Sequence, residues 1–266
     1  MARDPGVEER VVLGVARGDP VGHRIRDEPG HAARGAGEDE HLAEPGARLV
    51  RRELGRARLH DEIAAFAAGR VRRIAVLDPI FHENPDRAVG LLHEIRRAGV
   101  RAQLSLQGRF ELVDEAFLDA VSALPVVLEF GLQTVHEREA SAIKRPNRMD
   151  RVSLVIDRLR ARMIPFEVSL IYGLPLQTAE SFAESVKWCL ERGVPRVRAW
   201  PMMLLRGTPL YIERERWGFV ESVGERIPIV VASGTFSQDD HARMAALAAW
   251  LERNPTSTTL PAEGPP

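Results

Sequence analysis

Cysteine, lysine and net charge are almost absent from this chain of 266 residues. The single cysteine, Cys189, excludes an internal disulfide framework and is typical of a reducing compartment, so a cytoplasmic location is expected. The two lysines are Lys144 and Lys187, and nearly all positive charge is arginine. A net charge of −1 gives no general reason to expect nucleic acid or an anionic membrane as a partner. The sequence also lacks an apolar run of membrane-spanning length and an N-terminal signal peptide.

Residues 1–58 differ in composition from the rest of the chain. They contain no Ser, Thr, Asn, Gln, Lys, Cys or aromatic residue, and their glycines and prolines interrupt any helical or strand period. With little apolar surface to offset chain entropy, this segment is predicted to be disordered. Translation from a wrong reading frame of GC-rich DNA is a second interpretation. Its histidines lack paired ligand spacing and a neighbouring cysteine, so no metal site is predicted.

Residues 59–254 alternate between strand and helix patterns. Amphipathic helices, such as the one predicted over 85–98, separate short apolar strands, and this order predicts right-handed βαβ units with a parallel sheet. A final strand, IPIVVAS, and a final helix, SQDDHARMAALAAWLER, complete the domain. Residues 255–266 form a polar, Pro-rich tail that is predicted to be disordered.

The stretch LIYGLPLQTAESF joins the end of an apolar strand to the start of a helix. Gly173 can adopt a positive φ and Pro175 cannot donate a backbone hydrogen bond, so the strand ladder ends there. Thr178 is a candidate N-cap for the helix that follows. A short, sharp loop between strand and helix is where an α/β barrel builds its active site.

Polar residues occur with strand alternation in four successive predicted strands. Because strands of a parallel sheet are usually apolar on both faces, this pattern indicates a lumen lined by polar side chains near the strand ends. The alternative is a solvated face at a half-open edge. The residues that share this predicted face are Gln103, Ser105, Gln107, Glu129, Gly131, Gln133, Glu167, Ser169, Arg196, Arg198 and Trp200.

Individual motifs leave both functional and structural interpretations open. The segment LDPIFHENP places Asp78, His82 and Asn84 in a loop after the first clear strand, although an aspartate before proline also caps turns. Arg145 could clamp a carboxylate or phosphate, or it could be solvated. Cys189 falls on an apolar helix face, which favours a structural cysteine.

Taken in order, DPIFHENPDRA, LEFGLQT, AIKRPNR, LIYGLPLQTAESF and MLLRGTPLY resemble the radical S-adenosylmethionine (radical SAM) superfamily. The resemblance is greatest to its cobalamin-associated and coproporphyrinogen oxidase-like branches. It implies an α/β fold, namely a partial (β/α)6 barrel over residues 59–254. The first strand is expected to be missing.

The resemblance also implies positions for S-adenosylmethionine. Gln133 and Arg145 would lie near its ribose and carboxylate ends, and the loop of Gly173 would lie beside it. Where family members often carry an aspartate that accepts from the ribose hydroxyls, this chain has Ser169, which can accept one hydrogen bond. Three further residues would line the same pocket, namely Gln103, Ser105 and Glu129.

One departure from the family is large. The resemblance implies a 4Fe-4S cluster held by a CxxxCxxC motif, which is absent here, and no cobalamin-binding domain precedes the barrel in this chain. Cluster sites of this kind need thiolates, and Cys189 alone cannot supply them. The chain is therefore expected to be inactive in the family reaction, which is reductive cleavage of S-adenosylmethionine and radical modification of a small-molecule substrate.

Two other functions stay open. The chain could be a non-catalytic remnant or a binding subunit. It could also be an ordinary barrel enzyme with Glu129 or Glu167 as general base and Arg198 as electrostatic partner.

Overall fold

A computed structural model of the chain describes residues 10–13, 55–69, 71–255 and 257–260. The strands in this part are β1 (Arg10–Leu13), β2 (Arg73–Val76), β3 (Gln103–Gly108), β4 (Val126–Gln133), β5 (Phe166–Tyr172), β6 (Val197–Pro201), β7 (Val220–Glu221) and β8 (Val230–Ala232). The helices are α1 (Arg56–Ala68), α2 (Pro85–Arg97), α3 (Glu115–Ser122), α4 (Glu137–Ala142), α5 (Met149–Ala161), α6 (Ala179–Glu191), α7 (Pro209–Ile212) and α8 (Gln238–Arg253), with a 3-10 helix at Phe110–Leu112.

Six parallel strands form one sheet in the order in which they occur along the chain, β1 to β6. The short strands β7 and β8 form a separate antiparallel pair. Within the described residues no pairing joins β6 back to β1. The fold is therefore the predicted α/β class with a partial β/α barrel.

Strand β1 corrects the expectation that the first strand is missing. Arg10–Leu13 pairs in parallel with Arg73–Val76 at the edge of the sheet. The tetrapeptide RVVL is short, but its consecutive apolar residues favour an extended strand. The restricted composition of the residues around it made this signal easy to miss. Most of residues 1–58, and residues 256 and 261–266 of the tail, lie outside the described residues. Helix α1 begins at Arg56, slightly before the predicted domain start at residue 59.

Side-chain caps begin three of the longer helices, α2, α6 and α8. Asn84 accepts a hydrogen bond from Arg87 N at the start of α2. Thr178 and Ser181 form a reciprocal capping box at the start of α6, which confirms Thr178 as the N-cap. Each cap satisfies amide groups that the first helical turn leaves without partners.

One apolar core lies between the sheet and its helices. Alternate residues of β3, β4 and β5 are buried, and they pack in the same cluster as the inward faces of α2, α3, α5 and α6. Cys189 on α6 is fully buried in this cluster, as expected of a structural cysteine. No helix in the described part is both long and apolar enough to cross a membrane.

Candidate functional site

The face of the sheet opposite the core carries the polar residues that alternation predicts. On β3 the buried residues are Leu104, Leu106 and Gly108, so Gln103, Ser105 and Gln107 lie on the other face. Pairing continues this face across the sheet, because Glu129 of β4 lies between Gln107 of β3 and Glu167 of β5. Alternation in the strands therefore produces a polar surface that spans β3 to β6.

Two carboxylates occupy the middle of this polar face. Ser105 Oγ on β3 donates a hydrogen bond to Glu129 Oε1 on β4. Glu167, only 8% exposed, lies 3.2 Å from Arg198 Nε and 3.8 Å from Arg196 Nε. Both arginines also contact Glu252 of α8. The two glutamates are thus held by different neighbours although they are paired in register.

Burial raises the pKa of the Glu167 carboxyl group above its ordinary value. The charge of Arg198 opposes this rise, while the nearby charge of Glu129 adds to it. Loss of hydration disfavours the charged form of a buried carboxyl group. Burial on this face consequently favours the protonated form of the Glu167 carboxyl group.

A bulge at the end of β4 brings Gln133 and Arg145 together. The register shifts between Gly131 and Gln133, and Gln133 adopts a positive φ of 70°. Its side chain turns back over Gly131, so that a Cβ on Gly131 would lie 2.5 Å from Gln133 Nε2 and 3.1 Å from Arg145 Nη2. Arg145 Nη2 also donates to the Gly131 carbonyl oxygen at 3.3 Å. Gly131 therefore allows a close approach of the Gln133 and Arg145 side chains that a Cβ would block.

This cluster contains an unusual buried acceptor. Gln133 is 8% exposed, and its Oε1 has no hydrogen-bond partner among the described residues. Burial lowers the pKa of Arg145, and the charge of Arg109 lowers it further, while Glu111 opposes the change. A buried amide oxygen without a partner is costly, so a donor group that reached it would gain a strong hydrogen bond.

The loop after β5 has the sharp geometry that its sequence predicts. Gly173 adopts a φ of 90°, and a Cβ there would lie 3.2 Å from the carbonyl oxygen of Val230. Its amide N donates to Gln177 Oε1 at 2.7 Å. Ser169, a register neighbour of both Gly131 and Arg198, is half-buried on the polar face of the same strand.

The loop after β2 has a structural role. His82 is 1% exposed, its ring stacks on Phe117, and its Nε2 lies 3.0 Å from the Arg109 carbonyl oxygen. Burial lowers the pKa of His82, which favours the neutral ring. Asn84 caps α2, and Asp78 is buried. Two of these three loop residues thus have packing or capping roles.

Sequence analysis missed two buried residues behind the loop of Gly173, namely Glu139 and Gln177. Gln177 is part of the GLPLQT stretch, but nothing in its spacing indicates a partner 38 residues away. Glu139 falls in a short helix without a distinctive pattern. In the described part of the chain, no group of three or more His, Cys, Asp or Glu side chains is placed to hold a metal ion.

Comparison with known proteins identifies the fold. No protein-family model matches the chain. A segment of 89 residues is 33% identical to a segment of YtqA, an uncharacterized protein from Bacillus subtilis. The matched segment is 34% of this chain and 28% of YtqA.

Among solved structures, the fold is similar to that of TsrM, a radical S-adenosylmethionine methyltransferase from Kitasatospora setae. For TsrM with cobalamin and a 4Fe-4S cluster bound, the TM-score is 0.57 at 21% sequence identity. This match covers 66% of this chain and 38% of TsrM. For TsrM with tryptophan substrate and the analogue aza-SAM bound, the TM-score is 0.59 at 16% sequence identity. This match covers 75% of this chain and 46% of TsrM.

A third structure is that of OxsB, a cobalamin-dependent S-adenosylmethionine radical enzyme with aqua-cobalamin bound. Its TM-score is 0.50 at 12% identity over 74% of this chain and 36% of that chain. The chain spans less than half the length of each of these relatives. These similarities show that the fold is like that of radical SAM enzymes.

Proposed function

We propose that this chain is a radical SAM family barrel that binds S-adenosylmethionine at the carboxyl ends of β4 and β5. The observation that carries the proposal is the cluster of Gly131, Gln133 and Arg145. It combines a buried amide oxygen that has no partner among the described residues, a half-buried guanidinium group and a glycine that allows close approach. A ligand with hydroxyl donors and a carboxylate matches these groups, because the amide oxygen accepts and the guanidinium donates.

Each residue has a distinct part in this proposal. Gln133 Oε1 accepts from a ribose hydroxyl, and Arg145 holds the carboxylate. Ser169 is a second acceptor, and the loop of Gly173 bounds the pocket. Three residues line its deeper part, namely Gln103, Ser105 and Glu129. S-adenosylmethionine carries a transferable methyl group and a 5′-deoxyadenosyl group, and this chain is proposed to bind it without cleaving either bond.

The residues of this chain do not fit a 4Fe-4S cluster. Cys189 is the single cysteine, it is fully buried in α6, and burial raises the pKa of its thiol. Raising that pKa disfavours the thiolate that binds iron. We therefore assign no radical step to this chain, and its proposed activity is ligand binding without cleavage. A role as a binding subunit is consistent with the same observation. We make no assignment of cobalamin to this chain.

A second candidate function is supported by Glu167. Its carboxyl group is buried, its pKa is raised, and Arg198 lies 3.2 Å away. A carboxyl group of this kind can act as a general base without any iron. In this alternative, a small-molecule substrate binds on the polar face above Glu167.

Isothermal titration calorimetry of the full chain with S-adenosylmethionine and S-adenosylhomocysteine tests the first proposal. We expect binding by the wild type, and affinities about tenfold or more weaker for Gln133→Leu and Arg145→Gln. Lys144→Gln is the matched control, because it removes one positive charge from the exposed neighbouring residue and leaves the cluster intact. No binding by the wild type, or equal affinities for Arg145→Gln and Lys144→Gln, would refute the site.

A further inference from the structure

A buried carboxylate lies behind the loop that follows β5. Glu139 of α4 is 3% exposed. Its Oε1 accepts a hydrogen bond from Ser181 Oγ at 2.5 Å, and its Oε2 accepts from Thr134 Oγ1 at 2.6 Å and from Gln177 Nε2 at 3.4 Å. Within the described residues no arginine, lysine or histidine forms an ion pair with it. Burial of an unpaired carboxylate is costly unless such donors replace water.

Gln177 connects this carboxylate to the backbone of the loop Gly173–Gln177. Its side-chain oxygen accepts from the amides of Gly173 at 2.7 Å and Leu174 at 3.2 Å. Its side-chain nitrogen donates to the Ile171 carbonyl oxygen at 3.1 Å as well as to Glu139. The side chain is fully buried, so all four contacts are made without water.

The contacts of Gln177 require one orientation of its amide. A carboxylate only accepts hydrogen bonds, so Glu139 binds the nitrogen end and excludes the flipped amide. The oxygen end then faces the two loop amides. Without Glu139, Gln177 would lose its charged acceptor, and only the Ile171 carbonyl oxygen and the two loop amides would hold this orientation.

We propose that Glu139 is a positioning residue for ligand binding, which acts through Gln177 to hold the loop Gly173–Gln177 in its bound shape. This inference rests on the proposed function, because the loop is part of the proposed S-adenosylmethionine pocket. A loop that is already fixed loses less conformational freedom when the ligand binds, so the protein has a higher affinity for the ligand. Thr235 Oγ1, which donates to the Gln177 carbonyl oxygen at 2.7 Å, fastens the end of the loop.

Hydrogen exchange and ligand binding of the full chain test this role together. Glu139→Gln keeps the side-chain size but places an amide among groups that already donate. We expect exchange at the amides of Gly173 and Leu174 to accelerate about tenfold, with unchanged exchange in helix α5. Binding of S-adenosylhomocysteine should weaken by a similar factor.

Ser185→Ala is the matched control. Ser185 is fully buried beside Thr134 and accepts from Val135 N, and no hydrogen bond among the described residues joins it to Glu139 or Gln177. It should lower thermal stability without changing loop exchange or affinity. Thr134→Val, which removes one donor to Glu139 at a distance from the loop, serves as the second variant if Glu139→Gln does not fold. Its loop exchange should rise less than that of Glu139→Gln.

Two outcomes would reject the positioning role of Glu139 without rejecting the proposed function. Loop exchange in the Glu139 and Thr134 variants equal to that in Ser185→Ala would overturn the positioning role. Faster exchange with undiminished affinity for S-adenosylhomocysteine would also overturn it. No binding by the wild type would reject the proposed function, and the exchange measurement would still decide whether Glu139 holds the loop.

Discussion

Glu167 of β5 and Arg198 of β6 form an ion pair on the polar face of the sheet, with 3.2 Å between the carboxylate and Nε. Despite this partner, the pKa of Glu167 is raised, because burial outweighs the attraction of Arg198. The pair is therefore weak evidence for stability, as is common when the loss of hydration exceeds the Coulombic gain.

The first prediction concerns the pH dependence of stability. The folded chain holds the Glu167 proton more tightly than the unfolded chain. Its contribution to the free energy of unfolding is therefore fully present below the unfolded pKa and is lost as pH rises through the folded pKa. Urea unfolding across that pH window should show wild type losing stability relative to Glu167→Gln as pH increases.

Glu252→Gln is the control for this experiment. It removes one negative charge from the same ion cluster at a more exposed position, 44% against 10% for the side chain of Glu167. As pH increases, the wild type should lose less stability relative to Glu252→Gln than relative to Glu167→Gln. A wild type that gains stability over Glu167→Gln as pH rises would contradict the direction of the shift.

The second prediction concerns Gly131. A Cβ there would lie 2.5 Å from Gln133 Nε2, so Gly131→Ala should displace the flexible end of the Gln133 side chain and cost about 1 kcal/mol of unfolding free energy, the low end for overpacking. Gly90→Ala is the control, because it lies in α2 with nothing within 4 Å of the new Cβ, and should stabilise by about 0.5–1 kcal/mol. Urea unfolding measures both changes. Similar effects at the two positions would show that the Gln133 side chain does not pack over Gly131.

The alternation of residues in β3 to β6 predicts much of this fold and its polar face. The bulge at Gly131 and the positive φ of Gln133 could not be predicted, because both depend on how β4 meets β5 and Arg145. The network of Glu139 and Gln177 joins residues 38 apart that have no common period. Such long-range hydrogen bonds follow from the tertiary fold and leave no local signal.

The third prediction separates conformational strain from close contact in two loops. Gly173 and Gly207 both adopt positive φ, at 90° and 78°, but a Cβ would meet the Val230 carbonyl oxygen only at Gly173. Each alanine variant should lose about 1–2 kcal/mol from the left-handed backbone alone. Gly173→Ala should lose more in thermal or urea unfolding. Equal losses would indicate that the loop yields to the extra methyl group without cost.

The fourth prediction concerns the N-terminal composition break. The low apolar content of residues 1–58 predicts that limited trypsin digestion leaves a resistant fragment that begins close to Arg56, where α1 starts. Mass spectrometry of the time course identifies its first residue. A resistant fragment that retains residues 10–13 would show instead that β1 contributes to the stable domain, as its pairing with β2 allows.

The last prediction is that the chain as written holds no 4Fe-4S cluster and does not cleave S-adenosylmethionine. Such a cluster needs several thiolates from one short loop, and the sequence contains one cysteine. Cys189 lies on α6 with no exposed surface, and burial raises the pKa of its thiol. It is therefore neither accessible to iron nor ionised at neutral pH.

Anaerobic reconstitution with iron and sulfide, followed by iron analysis and electron paramagnetic resonance, checks this prediction. We expect the iron content to match that of Cys189→Ala, the control that lacks all thiols. Any 5′-deoxyadenosine should stay at the level of a protein-free reaction. Stoichiometric iron in the wild type, with the signal of a reduced cluster, would require non-thiolate ligands and would restore the radical reaction as a function of this chain.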